Sequence, residues 1–519
     1  MQRLPIGIDD FRELREGGYT YVDKTRQIYE LIHTAKFIFL SRPRRFGKTL
    51  LTTTLRELFL GNAALFDGLW IADQIEWTPH PVILLNFNDL DYRTQSLADA
   101  LGEEMDKQAR LNGITLDATE YKGKFLELIE RLADRNKVVL LVDEYDKPIT
   151  DLLENSEKVA EHIDTLKNFY AVLKSTESPH IHFGLLTGVS KYGKLSIFSD
   201  LNNLLDVTTD RDFATLLGYT QRELEDTFGD HISDLAVAYN TARETILKQV
   251  EYWYNGYSWD GAQRVYVPFS TLVFLQQQTF ENHWFSTATP TFLIKLLRAS
   301  RIPAHRLEAT GGGAELLNSA DVNNISILSL LFQTGYLTIK RVQHSLSGTR
   351  YQLGYPNYEV RQSFQKYLLA DYLDTQISQV SGVILYDLEN ALANQDVAEF
   401  VTVLQSVFAS IPHHLFLPYE AYYHSLVYLL LSLLGFRIDA ERPTNLGRID
   451  AVLELEELVY ILEFKLTTAE AALKQIHEKQ YAGPYVGRGK TIILIGIAFD
   501  TESRNIADWQ TETNIHYRK

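Results

Sequence analysis

The sequence has no cysteine in 519 residues, which excludes disulfides and thiolate metal sites and leaves stability to packing. It has no apolar run long enough to span a bilayer: the stretch Leu426 to Phe436 is interrupted by Ser432 and is too short. The opening residues Met1 to Pro5 lack the apolar core of a secretion signal. The expectation is a cytoplasmic protein without a membrane partner. Positive charge is also short, since 50 Lys and Arg face 67 Asp and Glu for a net charge of −17. That balance argues against tight, constitutive, sequence-blind binding to nucleic acid, which relies on neutralising phosphates. Residues 376–436 contain no Lys or Arg, whereas residues 437–519 hold eleven, so any nucleic-acid contact in that third belongs to its final part. The rest of the composition, 45% hydrophobic and 23% charged, is that of an ordinary globular chain with length for about three domains.

The chain is organised around two stretches, RPRRFGKT at 42–49 and KVVLLVDEYD at 137–146. Branched apolar residues that end abruptly in acids describe a buried parallel strand delivering carboxylates to the ligand-binding edge of a sheet. Lys36 to Ser41 reads as another buried strand and Thr49 to Phe59 as the helix after it. Between them, Gly47-Lys48-Thr49 matches the end of a phosphate-binding loop, with Arg45 and Phe46 just before it as further candidate cofactor-binding residues. Its backbone N–H groups would cradle phosphates, Lys48 would reach the β and γ oxygens, and Thr49 would place its hydroxyl on Mg²⁺. Asp143 would hold the Mg²⁺ through water and Glu144 would polarise an attacking water. The loop lacks the usual first glycine, whose position is taken by Arg42.

Elsewhere strands alternate with helices, as at Pro81 to Phe87, 95–111, 120–134 and His182 to Gly188, which implies a parallel sheet covered on both faces. Asp23 and Lys24 are candidates to approach the nucleotide, with an N-cap and a surface lysine as the alternative. Thr220 to Glu223 form a capping box that opens a mostly helical region. Tyr252 to Trp259 read as an aromatic turn, the glycines at 311–313 as a loop, and 324–371 as a helix and hairpin with a winged-helix outline. The candidate recognition helix, Ile325 to Phe332, is too apolar for a groove, so a packing lid is expected.

A second acidic site lies near the C-terminus. GRID at 447–450 and LEFK at 462–465 fall on two strands joined by an acidic turn. Alternation puts Glu463 and Lys465 on one face, and a hairpin partner can set Asp450 beside them. Asp450 and Glu463 would hold Mg²⁺, and Lys465 would position or help deprotonate a water and stabilise phosphate charge. On the following helix Gln475 and Lys479 stand one turn apart and could both face the site.

The first part of the chain resembles the AAA-ATPase-like domains of bacterial and archaeal proteins. The matching residues are LPIGIDDFRELREGGYTYVDKT (4–25), RPRRFGKT, LLTGVSKYGKLSIFSDLNNLLD (185–206), YNGYSW (254–259) and WFSTATPTFLIKLL (284–297). In that family arginine stands where the first glycine would, so Arg42 is the family's form. ATPases of this general class put a γ-phosphate-sensing residue at the end of the strand that here carries Thr187, with Ser190 the other candidate. The last part resembles the nuclease domain of the PD-(D/E)XK superfamily, which adds Gln475 and Tyr481 to the pattern and Glu420 as a further metal-binding acid. The resemblance covers nearly the whole chain. It implies an α/β fold with a P-loop parallel sheet, helices on both faces, a helical and winged-helix-like middle region, and a C-terminal α/β nuclease domain. The expected boundaries are 1–218, 219–375 and 376–519. The implied activity is an ATPase controlling a metal-dependent nuclease, with ATP and Mg²⁺ as cofactors and Mn²⁺ an alternative at the nuclease site. DNA or RNA is the implied substrate, a homo-oligomer is allowed, and defence against foreign nucleic acid would suit the design. The alternative is a nucleotide-switched binding or signalling protein whose nuclease-like domain does not cleave.

Overall fold

The computed structural model describes residues 3–174, 180–191, 194–198, 203–284, 291–300, 302–318, 326–346, 348–373, 382–411, 420–434, 437–443 and 448–513. The chain forms two compact units, one of residues 1–286 with 311–359, the other of 287–310 with 360–519.

The first unit is built on five parallel strands: β1 (Phe37–Ser41), β2 (Val82–Asn86), β3 (Val138–Asp143), β4 (Ile181–Gly188) and β5 (Leu204–Asp206). Their order across the sheet is β2-β3-β4-β1-β5. Parallel neighbours need crossovers, and the helices Lys48–Phe59, Leu97–Leu111, Tyr121–Ala133 and Ser156–Tyr170 lie in those connections. All residues of β1 and β3 are buried, which is why both read as continuous apolar runs. Because β4 lies between β1 and β3, the phosphate-loop helix and the acids of β3 must meet across an intervening strand. Ser41 is in register with Gly188, and Asn86 with Asp143, so the strand ends form one edge.

Three helices, Gln221–Ala238, Arg243–Tyr254 and Pro268–Gln277, close a separate apolar core around Phe228, Ile246, Tyr254 and Phe274. The expected capping box is present: Glu223 N–H donates to Thr220 Oγ1 at 3.2 Å, and Thr220 N–H donates to Glu223 Oε2 at 2.8 Å. Short strands β6 (Asn255–Tyr257) and β7 (Val265–Tyr266) pair within this region, and β8 (Thr310–Gly312) takes two of the glycines expected in a loop. The helix Ile327–Gln333 is followed by an antiparallel hairpin of β9 (Thr338–Ser345) and β10 (Gly348–Gly354).

The second unit carries a five-stranded mixed sheet in the order β11-β12-β13-β14-β15, formed by Arg437–Pro443, Arg448–Glu454, Leu458–Lys465, Thr491–Asp500 and Asn505–Thr513. β12 and β13 are antiparallel, joined by the acidic turn, where Leu455 N–H donates to Leu458 O at 2.9 Å. β13 and β14 are parallel, with the helix Ala469–Glu478 as the crossover. That helix lies close because Gly496 has no side chain: a Cβ there would stand 2.5 Å from Ala469 O. Two further helices, Val383–Ala393 and Val397–Ala409, are tied to the sheet by Tyr460 Oη donating to Leu392 O at 2.6 Å and Gln405 Nε2 donating to Ile506 O at 3.0 Å. Among the described residues no helix is long and apolar enough to cross a membrane.

Candidate functional sites

At the sheet edge of the first unit, Gly47 caps the helix Lys48–Phe59 in the left-handed conformation, φ 92°, with nothing within 4 Å of where a Cβ would point. The helix therefore starts without a side-chain cap, and its first N–H groups and the positive end of its dipole are the kind of setting in which phosphate is bound. Thr49 Oγ1 donates to Asp143 Oδ2 at 2.6 Å, and Thr187 Oγ1 donates to Asp143 Oδ1 at 2.6 Å. Three residues expected at one site are thus joined through a single carboxylate. Lys48 is buried and its Nζ donates to the carbonyls of Arg42 and Pro43, each at 3.1 Å. Glu144, half-buried beside Asp143, has φ 53° and Arg45 has φ 68°. Left-handed backbone in residues with a side chain costs energy and gathers where a site fixes it. The hard oxygens of Thr49 and Asp143 beside a helix N-terminus without a side-chain cap fit a magnesium-bound triphosphate.

The other aspartate of the DEYD run has a different task. Asp146 is fully buried, and its oxygens accept from Val189 N–H at 3.1 Å, Ser190 N–H at 2.6 Å and Ser190 Oγ at 2.7 Å. Burial pushes its pKa upward, while these bonds oppose the rise. Ser190 therefore holds the loop after β4 to the turn after β3, and Thr187 is the hydroxyl bonded to Asp143.

Arg42 is buried at 1% exposure and points into the protein. Its Nη1 donates to Ser41 O at 2.9 Å and Thr208 O at 2.7 Å, its Nη2 donates to Phe213 O at 3.1 Å, and the guanidinium lies 4.3 Å from the Trp259 ring centre. Burial lowers its pKa to about 9. Phe46 is equally buried, edge-on to Tyr257 at 4.8 Å and to Trp259 at 5.6 Å. The run Tyr252 to Trp259, expected as a turn, is instead the end of the helix Arg243–Tyr254 followed by β6, and its Tyr257 and Trp259 brace the loop at Phe46 and Arg42. Arg45 turns aside, its guanidinium 3.8 Å from the Phe269 ring centre and Nη1 donating to His283 O at 3.1 Å.

A crevice that sequence reasoning missed opens beside Gly47, lined by Tyr21, Val22, Ile28, Leu50, Leu217 and Pro268 among others. Its walls are mostly apolar. Lys24 also borders it, but its Nζ is held by Glu223 at 2.7 Å and Thr215 O at 2.8 Å. Asp23 Oδ1 accepts from Thr25 N–H at 2.8 Å, and Oδ2 from Trp70 N–H at 2.8 Å. Neither alternative is realised: Lys24, not Asp23, is the N-cap residue of the helix Thr25–Thr34, and Lys24 is buried rather than on the surface.

In the second unit, Glu463 is fully buried on β13. Its Oε1 accepts from Lys465 Nζ at 3.0 Å and from Gln475 Nε2 in a short contact, and Gln475 Nε2 lies 3.3 Å from Tyr481 Oη. Glu463 Oε2 is buried with no hydrogen-bond partner among the described residues. Asp450, half-buried on β12, accepts from Phe464 N–H at 2.8 Å. Burial first, and the nearby Asp450 charge second, push the Glu463 pKa up to about 7, against the pull of Lys465. A buried carboxylate with one bare oxygen beside a second carboxylate is the donor set a divalent cation would complete. Among the described residues no three His, Cys, Asp or Glu side chains form a metal-holding cluster. Glu420 opens the helix Glu420–Leu433, but its side chain lies outside the described residues.

Two observations amend the expected site. Lys479 is exposed just past the end of its helix, and only Gln475 reaches Glu463. Its C-cap position carries the side chain off the helix face. His424 was not foreseen: its Nε2 lies 3.8 Å from Asp450 Oδ2 and its ring packs 4.9 Å from that of Phe464. The only hint in the sequence is its place four residues after Glu420, on the same helix face.

Residues 5–198 match the family model described as Predicted AAA-ATPase, and residues 418–509 match that of the PD-(D/E)XK nuclease superfamily. A protein of Azotobacter chroococcum mcd 1, described as "Uncharacterized protein in vnfD 5'region", is 40% identical over 526 residues, covering 99% of this chain and 99% of the relative.

Proposed function

From the premise that the chain belongs to the family of that Azotobacter protein, with an AAA-ATPase-like domain ahead of a PD-(D/E)XK nuclease superfamily domain, we propose an ATP-controlled nuclease. In this reading residues 1–218 bind and hydrolyse ATP, 219–375 act as a lid region, and 376–519 cleave a phosphodiester of DNA or RNA. The observation that carries it is the pairing of two acid-centred sites, Thr49–Asp143–Thr187 in one unit and Asp450–Glu463–Lys465 in the other.

In the first site the helix N-terminus and Lys48 bind the phosphates, Asp143 orients Thr49, and the crevice beside Gly47 takes the base. Glu144 orients the attacking water. Divalent metal, when bound, supplies charge neutralisation at both sites. In the second site Asp450 and Glu463 would hold the metal, Lys465 would position the attacking water, and Gln475 fixes the Glu463 carboxylate. Control requires that ATP bind one arrangement of the chain more tightly than another. A role in defence against foreign nucleic acid is compatible with such control.

The test is purified protein with Mg²⁺ or Mn²⁺, offered single- and double-stranded DNA and RNA with and without ATP. Metal-dependent cleavage that changes with ATP and disappears in Asp450→Ala supports the reading. Nucleic-acid binding without cleavage under every condition would instead favour a nucleotide-switched binding protein.

A further inference from the structure

Glu359 is a buried carboxylate that neither site uses. Its Oε1 accepts from His283 N–H at 2.7 Å and from Trp284 N–H at 2.8 Å. The carbonyl of that same His283–Trp284 peptide accepts from Arg45 Nη1 at 3.1 Å, and Arg45 belongs to the phosphate loop. One peptide group therefore stands between a cation of the loop and a buried anion, each polarising it in the same sense. Pro43 of the loop and the Trp284 ring both press on Gly335, where a Cβ would stand 2.7 Å from Pro43 Cβ and 3.2 Å from Trp284 Cζ2. These residues sit where the chain leaves the first unit. One exit follows Ser286, two residues after Trp284, and another follows Glu359 itself, at the head of the helix Tyr358–Leu373.

We propose that Arg45, the His283–Trp284 peptide and Glu359 form a relay linking occupancy of the phosphate loop to two of the connections that enter the nuclease-bearing unit. This rests on the reading of the loop as a nucleotide site and adds how that site regulates. Phosphate oxygens arriving at Gly47 compete with the His283 carbonyl for the Arg45 guanidinium, which binds such oxygens in a planar fork. Removing Arg45 from the peptide leaves Glu359 with its two N–H bonds but a weaker opposing charge. Burial already pushes Glu359 up to about 7, so the arrangement of 283–284 and the start of the following helix then changes in preference. By linkage, disturbing those connections changes nucleotide affinity by the same factor.

The experiment uses the full chain, Glu359→Gln, and amide hydrogen exchange of residues 360–373 with and without a non-hydrolysable ATP analogue and Mg²⁺, beside calorimetric titration of the same analogue. Exchange in the natural chain should change by about fivefold or more on nucleotide binding, and in Glu359→Gln by under about twofold, with the analogue still bound. An undiminished response in Glu359→Gln overturns the relay, as does a natural chain that binds nucleotide with no change at 360–373. A natural chain that fails to bind the analogue overturns the nucleotide site first, and the titration alone reveals that. Should Glu359→Gln fail to fold, Phe269→Leu removes the ring beneath Arg45. Loss of the exchange response in that variant supports the relay, and an undiminished response overturns it.

Discussion

The two acid-centred sites place their oxygens differently. At Asp143 each carboxylate oxygen accepts from one hydroxyl, Thr49 on one side and Thr187 on the other. At Glu463 one oxygen takes both Lys465 and Gln475 while the other is buried without a donor among the described residues. The first site is satisfied by neutral partners that can rotate toward an incoming ligand. The second holds an electrostatic deficit that a cation would fill, and burial makes that deficit costly. Nucleotide binding should then draw mainly on Lys48 and the helix end, and cleavage on the two carboxylates.

The contrast can be broken most directly at the chemistry. Asp450→Ala should lower metal-dependent cleavage by about 10³-fold and leave nucleotide affinity unchanged, compared by cleavage assay and calorimetry. Undiminished cleavage would remove Asp450 from the reaction. Lys48→Ala should do the reverse, weakening nucleotide binding by about 100-fold while ATP-independent cleavage persists. Retained affinity would contradict the assignment of this loop as the nucleotide site.

Smaller effects sharpen the comparison. Gln475→Ala should cost roughly tenfold in cleavage by loosening Glu463, whereas exposed Lys479→Ala should cost under about twofold. Equal losses would place Lys479 in the site after all. The smallest effects concern stability. Glu359 ionises in the fold at about 7 against an ordinary value of 4.5, so the folded chain holds the proton more tightly than the unfolded one. The stability this supplies is complete below pH 4.5, falls as pH rises, and is gone above 7. Denaturant titrations from pH 5 to 8 should show a loss on the order of 2 kcal/mol that Glu359→Gln flattens. Arg45 opposes the shift, and Tyr254 and Tyr257 feel the Glu359 charge, so the difference between the two chains is the quantity to measure.

Much of this was legible in order along the chain. The runs FIFLS and VVLLVD are strands because only a strand buried on both faces is apolar without alternation, and each ends at its polar residue. Glu463 and Lys465 share a face because strand side chains alternate, and their contact follows from that period alone. Other assignments were out of reach. Arg42 stands where such a loop usually has its first glycine, but two of its hydrogen-bond acceptors, the carbonyls of Thr208 and Phe213, lie more than 160 residues away. Lys24 was a candidate for the nucleotide, yet Glu223, which also closes the capping box, claims it.

The sequence by itself determined the local events: which runs become strands, where Gly47 turns the chain into a helix, and that acids end the strands at 143 and lie near one another at 450 and 463. These follow from periodicity, capping and glycine's backbone freedom, which act over a few residues. Only the tertiary structure decided that β4 lies between β1 and β3, so that Thr187 completes the bridge from Thr49 to Asp143. Only it brought His424 within 3.8 Å of Asp450 and set Glu359 one peptide away from Arg45. Strand order and burial are settled by which distant surfaces exclude water together, and no short window of sequence carries that information.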